Sequence, residues 1–123
     1  MHLILPGIPD KKLPWWLART HYASLISSGV KISEYTPGFV HAKVFVADDR
    51  EAVVGTINLD YRSLYHHFEC AAYLYDVPAI AEIESDFQNT LSVCRRMTEK
   101  ELREIPWYQN LCGAALKAFA PLM

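Results

Sequence analysis

The chain has no excess of charge of either sign. Its 12 Lys and Arg stand against 14 Asp and Glu, a formal charge of −2 with the five His neutral. That excludes a polybasic nucleic-acid arm as the dominant feature and gives no electrostatic reason for membrane capture. Cysteine is scarce: Cys70, Cys94 and Cys112 are an odd number without a C-x-x-C pair. This argues against a disulfide scaffold and for ordinary buried thiols in a reducing compartment. No run approaches the ~18 uninterrupted apolar residues of a membrane span. The opening Met1-His2-Leu3-Ile4-Leu5 is cut by Pro6-Gly7 too early for a signal-peptide core. Gly and Pro number only 5 and 7 in 123 residues, and no internal repeat or linker occurs. What remains is 51% apolar and 21% charged, the composition of one globular domain that buries roughly two-thirds of its unfolded surface.

Along the chain, Leu3–Leu5 reads as a short buried strand. Leu13, Trp16, Leu17, Leu25 and Ile26 recur with helical period over 13–27, with Asp10 as a candidate cap and Gly29 as the stop. Val30–Tyr35 alternates as a strand up to the Pro37-Gly38 turn. Phe39–Ala47 and Ala52–Asn58 read as paired strands about a polar turn, and Phe68–Tyr75 as another strand. Asp76 opens a helix predicted over 77–97, with Pro78 tolerated in its first turn. Thr98-x-x-Glu101 fits a capping box for a second helix. Pro106 breaks that helix, and Trp107–Phe119 resumes as a last one. The chain opens directly on an apolar strand with no helix before it to cover it, as if it began partway through a domain.

The segment that carries chemistry is His41-Ala42-Lys43, followed by Asp48 and then by Gly55-Thr56-Ile57-Asn58. On a strand, residues i and i+2 share a face about 6.6 Å apart. A two-residue loop at Asp49-Arg50 sets His41 opposite Asn58 and Lys43 opposite Thr56, and opposed antiparallel residues project from one face. A slip of one residue scatters the set over two faces. In that register an imidazole, an ammonium, an amide and a hydroxyl form one patch suited to a phosphodiester. Lys43 and Asn58 donate to non-bridging oxygens and stabilise charge on five-coordinate phosphorus. An imidazole, which titrates near neutrality, attacks phosphorus or protonates a leaving alkoxide. Glu69 on the next strand is a candidate acceptor for the other ring N–H of His41. Asp48, off the pattern of the others, is assigned to the turn and its hydrogen bonds.

A lone His or Lys at a strand start is ordinarily a surface residue; the whole string H-x-K-x4-D-x6-G-T-x-N is not. It resembles the signature of the phospholipase D superfamily. The surrounding segments Leu3-Ile4-Leu5-Pro6-Gly7, Gly29-Val30-Lys31-Ile32, Tyr35 to Lys43, Asn58-Leu59-Asp60-Tyr61-Arg62-Ser63, Phe68-Glu69 and Ala120-Pro121-Leu122-Met123 are similar to the second catalytic half of bacterial cardiolipin synthases. The resemblance implies an α/β fold: a mixed sheet flanked by helices, one incomplete lobe with a helical C-terminal tail, residues 1–123 forming a single partial domain. It implies phosphatidyl transfer between two phosphatidylglycerol molecules without metal or cofactor, through a phosphatidyl-histidine, with glycerol leaving. Two H-K-D motifs, one from each half, meet in such enzymes. On that mapping His41, Lys43 and Asn58 match contact residues and Thr56 a phosphate-contacting hydroxyl, a small departure from the commoner Ser. Asp48 and Glu69 match supporting positions.

The large departure is that only one H-x-K occurs. His2, His21, His66 and His67 lack the following Lys and read as surface or packing residues. The partners implied are therefore a first half or a second copy of the chain, a phospholipid, and a membrane surface reached by the parent enzyme on its cytoplasmic side. The parent's membrane-spanning N-terminus is absent, and part of the apolar content reads as surface meant for the missing lobe. Arg62 and Ser63 are open between a headgroup phosphate and a structural ion pair. Trp15-Trp16 reads as packing on the missing half ahead of a lipid interface, and 111–123 as a core cover ahead of a membrane-lying tail. A joint metal site at His66-His67 is disfavoured, because adjacent strand residues point to opposite faces. Two other readings stay open: a homodimeric single-motif phosphodiesterase or nuclease, against which the acidic balance counts, and a non-catalytic interaction fragment.

Overall fold

A computed structural model describes residues 1–118 and 120. In chain order the elements are β1 (His2–Pro6), α1 (Lys12–Arg19), α2 (Tyr22–Ser27), β2 (Lys31–Tyr35), β3 (Lys43–Ala47), β4 (Glu51–Gly55), a π-helical turn (Arg62–His66), β5 (Ala71–Tyr75), α3 (Ala79–Ser92), β6 (Cys94–Met97), α4 (Glu99–Arg103) and α5 (Trp107–Lys117). The expected mixture of strands flanked by helices is present, with the strands divided between two three-stranded sheets. The chain forms two compact units, one of Met1–Val40 with the chain from Val93, the other of His41–Ser92.

In the first unit β1 runs parallel to β2, as a strand–helix–strand passage requires, and β6 pairs antiparallel on the other side of β2. Tyr22, Ile32 and Met97 form its core, with Leu5, Leu25, Ile26, Val30 and Leu102 packed around them. The helix predicted over 13–27 is two helices, parted at Thr20 and His21. Asp10 caps neither, because Lys11 occupies the N-cap of α1 without a side-chain bond. The helix predicted over 77–97 ends at Ser92, and Cys94–Met97 is instead the strand β6. The reason lies in Glu34 of β2, which has no exposed surface. Its carboxylate accepts from Arg19 Nε and Nη2 (2.9 and 2.8 Å) and from Arg95 Nη2 on β6 (2.9 Å). A buried carboxylate needs such partners, and drawing Arg95 onto β2 overrides the helix propensity of that stretch.

The predicted capping box is formed. Thr98 Oγ1 accepts the Lys100 N–H at 3.3 Å, and Glu101 accepts the Thr98 N–H at 3.0 Å. Helix α5 lies against α1, and the approach is close at Gly113: a Cβ there would stand 2.4 Å from Thr20 Cγ2 and 2.8 Å from the Trp16 carbonyl. Trp15, expected against a missing half or a lipid, is held within this unit. Its indole donates to the Pro6 carbonyl at 3.0 Å and the Arg19 guanidinium stacks over its ring. Phe119 and Pro121–Met123, parts of the last helix and of the resemblance, lie outside the described residues.

The second unit is an antiparallel meander, β3-β4-β5, with α3 against β3. The expected strands at 39–47, 52–58 and 68–75 are shorter than predicted, five residues each. The cysteine expectation is corrected too: Cys70 and Cys112 are exposed and Cys94 is half-buried. No helix among the described residues is long and apolar enough to cross a membrane.

Candidate functional site

The hairpin that presents the site is built differently from the expected one. The turn is not centred on Asp49-Arg50. Asp48 and Asp49 both take positive φ (53° and 54°), and the Arg50 N–H donates to the Ala47 carbonyl at 3.2 Å. Positive φ at both central residues is what the mirror-image hairpin turn needs, and Asp tolerates it where Arg does not. Arg50 thus falls beyond the turn and is held elsewhere. Its guanidinium donates to both Asp76 oxygens (3.2 and 3.0 Å) and to the Tyr75 hydroxyl (3.1 Å), while its carbonyl accepts the Asp76 N–H at 2.8 Å. The register slips by one residue: Lys43 stands opposite Gly55, not Thr56. His41 and Asn58 lie just outside the paired strands, so strand parity does not set them on a common face.

Hydrogen bonds beyond the end of β4 gather the groups instead. Past Gly55 the ladder to β5 closes on Thr56, whose N–H donates to the Cys70 carbonyl at 3.0 Å. The Cys70 N–H then donates to Thr56 Oγ1 at 3.1 Å, where a continuing ladder would offer a main-chain carbonyl. The Thr56 hydroxyl proton goes to the Glu69 carboxylate. Gly55 permits this approach, because a Cβ there would lie 2.4 Å from the Cys70 carbonyl oxygen. Asn58 Nδ2 donates to Ser63 Oγ at 3.2 Å, and the Ser63 N–H donates to Asp60 Oδ1 at 2.7 Å.

Glu69 is the acceptor for the Thr56 hydroxyl. Hydrogen bonds from the Thr56 and Ser63 hydroxyls, with the nearby charges of His67 and Lys43, hold its carboxyl below the ordinary value of 4.5. Lys43 is half-buried, and its ammonium donates to the His41 carbonyl at 2.8 Å, which ties the two motif residues together through the main chain. His41 is exposed at the mouth of the strand. Asp48 sits in the turn, with left-handed backbone. Arg62 is exposed and begins the π-helical turn, where its carbonyl accepts the His67 N–H at 2.9 Å.

The structure therefore joins Thr56 to Glu69, Lys43 to the His41 main chain, and Asn58 to Ser63, a residue left open between phosphate binding and an ion pair. Ser63 is buried at 8% exposure, its N–H bonded to Asp60 and its hydroxyl oxygen to Asn58. The signal that finds it is Asp60-x-x-Ser63, the spacing by which a capping carboxylate meets an N–H three residues on. His66 and His67 are on the π-helical turn and its exit rather than on a strand. Among the described residues no three His, Cys, Asp or Glu side chains converge as a metal-binding group.

The sequence profile of the family described as cardiolipin synthase, phospholipase D-like domain, matches residues 1–91. A protein of Streptococcus mutans described as uncharacterized is 55% identical over 98% of this chain and 26% of its own length. A cardiolipin synthase of Clostridium perfringens is 35% identical over 98% of this chain and 25% of its own. One of Halalkalibacterium halodurans is 31% identical over 100% of this chain and 24% of its own. The chain thus spans about a quarter of the length of the curated relatives it matches. With three-quarters of its residues inside the profile, the chain belongs to the cardiolipin synthase, phospholipase D-like domain family.

Proposed function

We propose that this chain supplies one of two H-K-D half-sites of a phospholipase D-type phosphatidyltransferase that joins two phosphatidylglycerol molecules into cardiolipin and glycerol. The observation that supports it most is the motif pair His41 and Lys43, tied through the His41 carbonyl, with Thr56 bonded to Glu69 on the same sheet, in a chain of this family. In this reading Lys43 and Asn58 donate to the non-bridging oxygens of the substrate phosphate and offset charge as phosphorus becomes five-coordinate. One of two imidazoles, that of His41 or its counterpart on the other half-site, attacks phosphorus and forms the phosphatidyl-histidine. The other gives its proton to the departing glycerol oxygen, then takes a proton from the hydroxyl of the second phosphatidylglycerol as that oxygen attacks. Protons and phosphoryl bonds balance over the two steps, and no metal or cofactor enters.

Glu69 holds the polar network, and Asp48 holds the turn below it. Thr56 contacts phosphate only if its hydroxyl leaves Glu69, so in the resting geometry it orients that carboxylate. Arg62, exposed next to the cluster, meets a headgroup phosphate. The second half-site comes from the rest of a longer parent, in which residues 1–123 are one partial domain, or from a second copy of the chain. The phospholipid substrate places that parent at a membrane surface, on the cytoplasmic side.

The test is to incubate the protein with phosphatidylglycerol vesicles, with and without EDTA, and to assay cardiolipin and glycerol alongside the light-scattering mass. EDTA-insensitive transfer is expected only from assemblies that hold two half-sites, and His41→Ala should abolish it. Cardiolipin made by a monomer of this chain would overturn the two-half reading. Cleavage of plasmid DNA by a dimer, lost in His41→Ala, would replace transfer by phosphodiester hydrolysis.

A further inference from the structure

The chain between Asn58 and Glu69 exposes its apolar side chains. Leu59, Tyr61, Leu64, Tyr65 and Phe68 all stand open to solvent, Tyr65 at 75% and Phe68 completely. Five large apolar side chains are thus concentrated in one stretch of ten residues. Tyr61 and Tyr65 stack, with ring centroids 5.9 Å apart. The main chain beneath them finds its partners locally. The Leu64 N–H donates to the Asp60 carbonyl at 3.0 Å, the His67 N–H to the Arg62 carbonyl at 2.9 Å, and the Ser63 N–H to Asp60 Oδ1 at 2.7 Å. The one carboxylate of the stretch, that of Asp60, is therefore engaged by the main chain, whereas Arg62 is exposed.

We propose that residues 59–68 dock this unit on an anionic phospholipid surface, with Tyr65 and Phe68 entering the acyl boundary and Arg62 among the headgroup phosphates. Size argues against a second protein chain as the occupant. A stable protein interface draws on about 20–30 residues a side, and this stretch offers ten. A segment that enters the acyl boundary must satisfy its own main-chain groups, and Ser63, Leu64 and His67 do so with partners inside the stretch. Tyrosine, an apolar ring with a polar tip, suits the depth at which headgroups meet acyl chains. A guanidinium at that depth pairs with phosphate oxygens, and the engaged Asp60 does not oppose it at the surface. The stretch also runs directly from Asn58 to Glu69, so docking it would hold the candidate site at headgroup depth. A phospholipid could then present its phosphate without leaving the bilayer. That functional meaning rests on the proposed phosphatidyl transfer; the docking itself does not.

The experiment is co-sedimentation of the protein with phosphatidylcholine vesicles, with and without phosphatidylserine, alongside its light-scattering mass. Phosphatidylserine supplies the anionic surface without being the proposed substrate. The wild type should bind the anionic vesicles more tightly, and Arg62→Gln should remove that preference. Phe68→Ser and Tyr65→Ser should each weaken binding about 10-fold, the scale of withdrawing one large apolar side chain from burial. Phe68→Trp, which keeps an apolar ring, should bind like the wild type and guards against misfolding of the serine variant. Trp107→Ser, at an exposed position in the other unit, should leave binding unchanged. No binding by the wild type, binding indifferent to both serine variants, or equal loss in Trp107→Ser would overturn the docking. Equal binding to both vesicles would overturn the anionic surface. A dimer that Phe68→Ser dissociates would give the stretch to a second copy instead. Binding needs no turnover, so His41→Ala should bind like the wild type. Failure of the functional reading would register separately, as absent phosphatidyl transfer with vesicle binding still dependent on Phe68.

Discussion

At the scale of residues, one carboxylate of the candidate site is held in its charged form by its neighbours. Glu69 is held below its ordinary value first by the Thr56 hydroxyl and then by Ser63, with His67 and Lys43 adding favourable charge. A carboxyl depressed in the folded state contributes stability that is present above its unfolded value and is lost as pH falls through the folded one. The loss therefore begins below about pH 4.5, the ordinary value, and leaves neutral pH untouched. Thr56→Val removes the leading donor while keeping the shape, so the Glu69 midpoint should rise toward 4.5, read from its carboxyl carbon shift in an NMR titration. The acid limb of the unfolding curve should move up in pH with it. Thr56 was legible in the sequence as a hydroxyl at the right spacing. That its proton goes to Glu69 was not, because the contact closes only when β5 returns beside β4.

At the scale of elements, one close approach and one buried ion cluster decide the pairing. Gly55 lets β4 and β5 come together where the ladder gives way to Thr56, and the nearest atoms to an added Cβ are main chain and Ala71 Cβ, which cannot swing aside. Gly55→Ala should cost about 1–3 kcal/mol by overpacking, read from urea midpoints, and should displace Thr56 from Cys70. In the other unit Glu34 is buried among Arg19, Arg95 and the Tyr22 hydroxyl, which lies at 3.4 Å. Arg19→Met would leave that carboxylate under-compensated and should cost about 3–5 kcal/mol. Adding Glu34→Leu to Arg19→Met should recover much of the loss, since an apolar replacement of the whole pair removes the desolvation penalty. The helix read over 77–97 failed here for the same reason. Arg95, Arg96 and Met97 suit a helix taken alone, and only the partners waiting on β2 make them a strand.

At the scale of the whole molecule, the two units differ in how much they bury. Tyr22, Ile32, Ser33, Glu34 and Met97 are buried in the first, whereas the second buries Ala52, Ser63 and Ile80. Much of the apolar surface of the second unit is open, with Phe68 fully exposed and Tyr65 at 75%. Stability follows burial, so in native-state hydrogen exchange the amides of β2 should outlast those of β3, β4 and β5. Equal protection of the two sheets would contradict that ordering. The motif-bearing unit thus leaves more of its large apolar side chains open to solvent.

The sequence by itself pointed to the family, because six motif positions from His41 to Asn58 are a local pattern that survives without a fold, as is the capping box at Thr98 for its helix. It also determined most strand positions, through alternation, the Pro37-Gly38 break and the polar turn that follows Ala47. Only the tertiary structure decided the register of the hairpin and the strand at Cys94–Met97. Each of these turns on a partner far along the chain: Asp76 for Arg50 and Glu34 for Arg95. A local pattern records what a residue can do, but a hydrogen bond across many residues exists only once the chain has closed on itself.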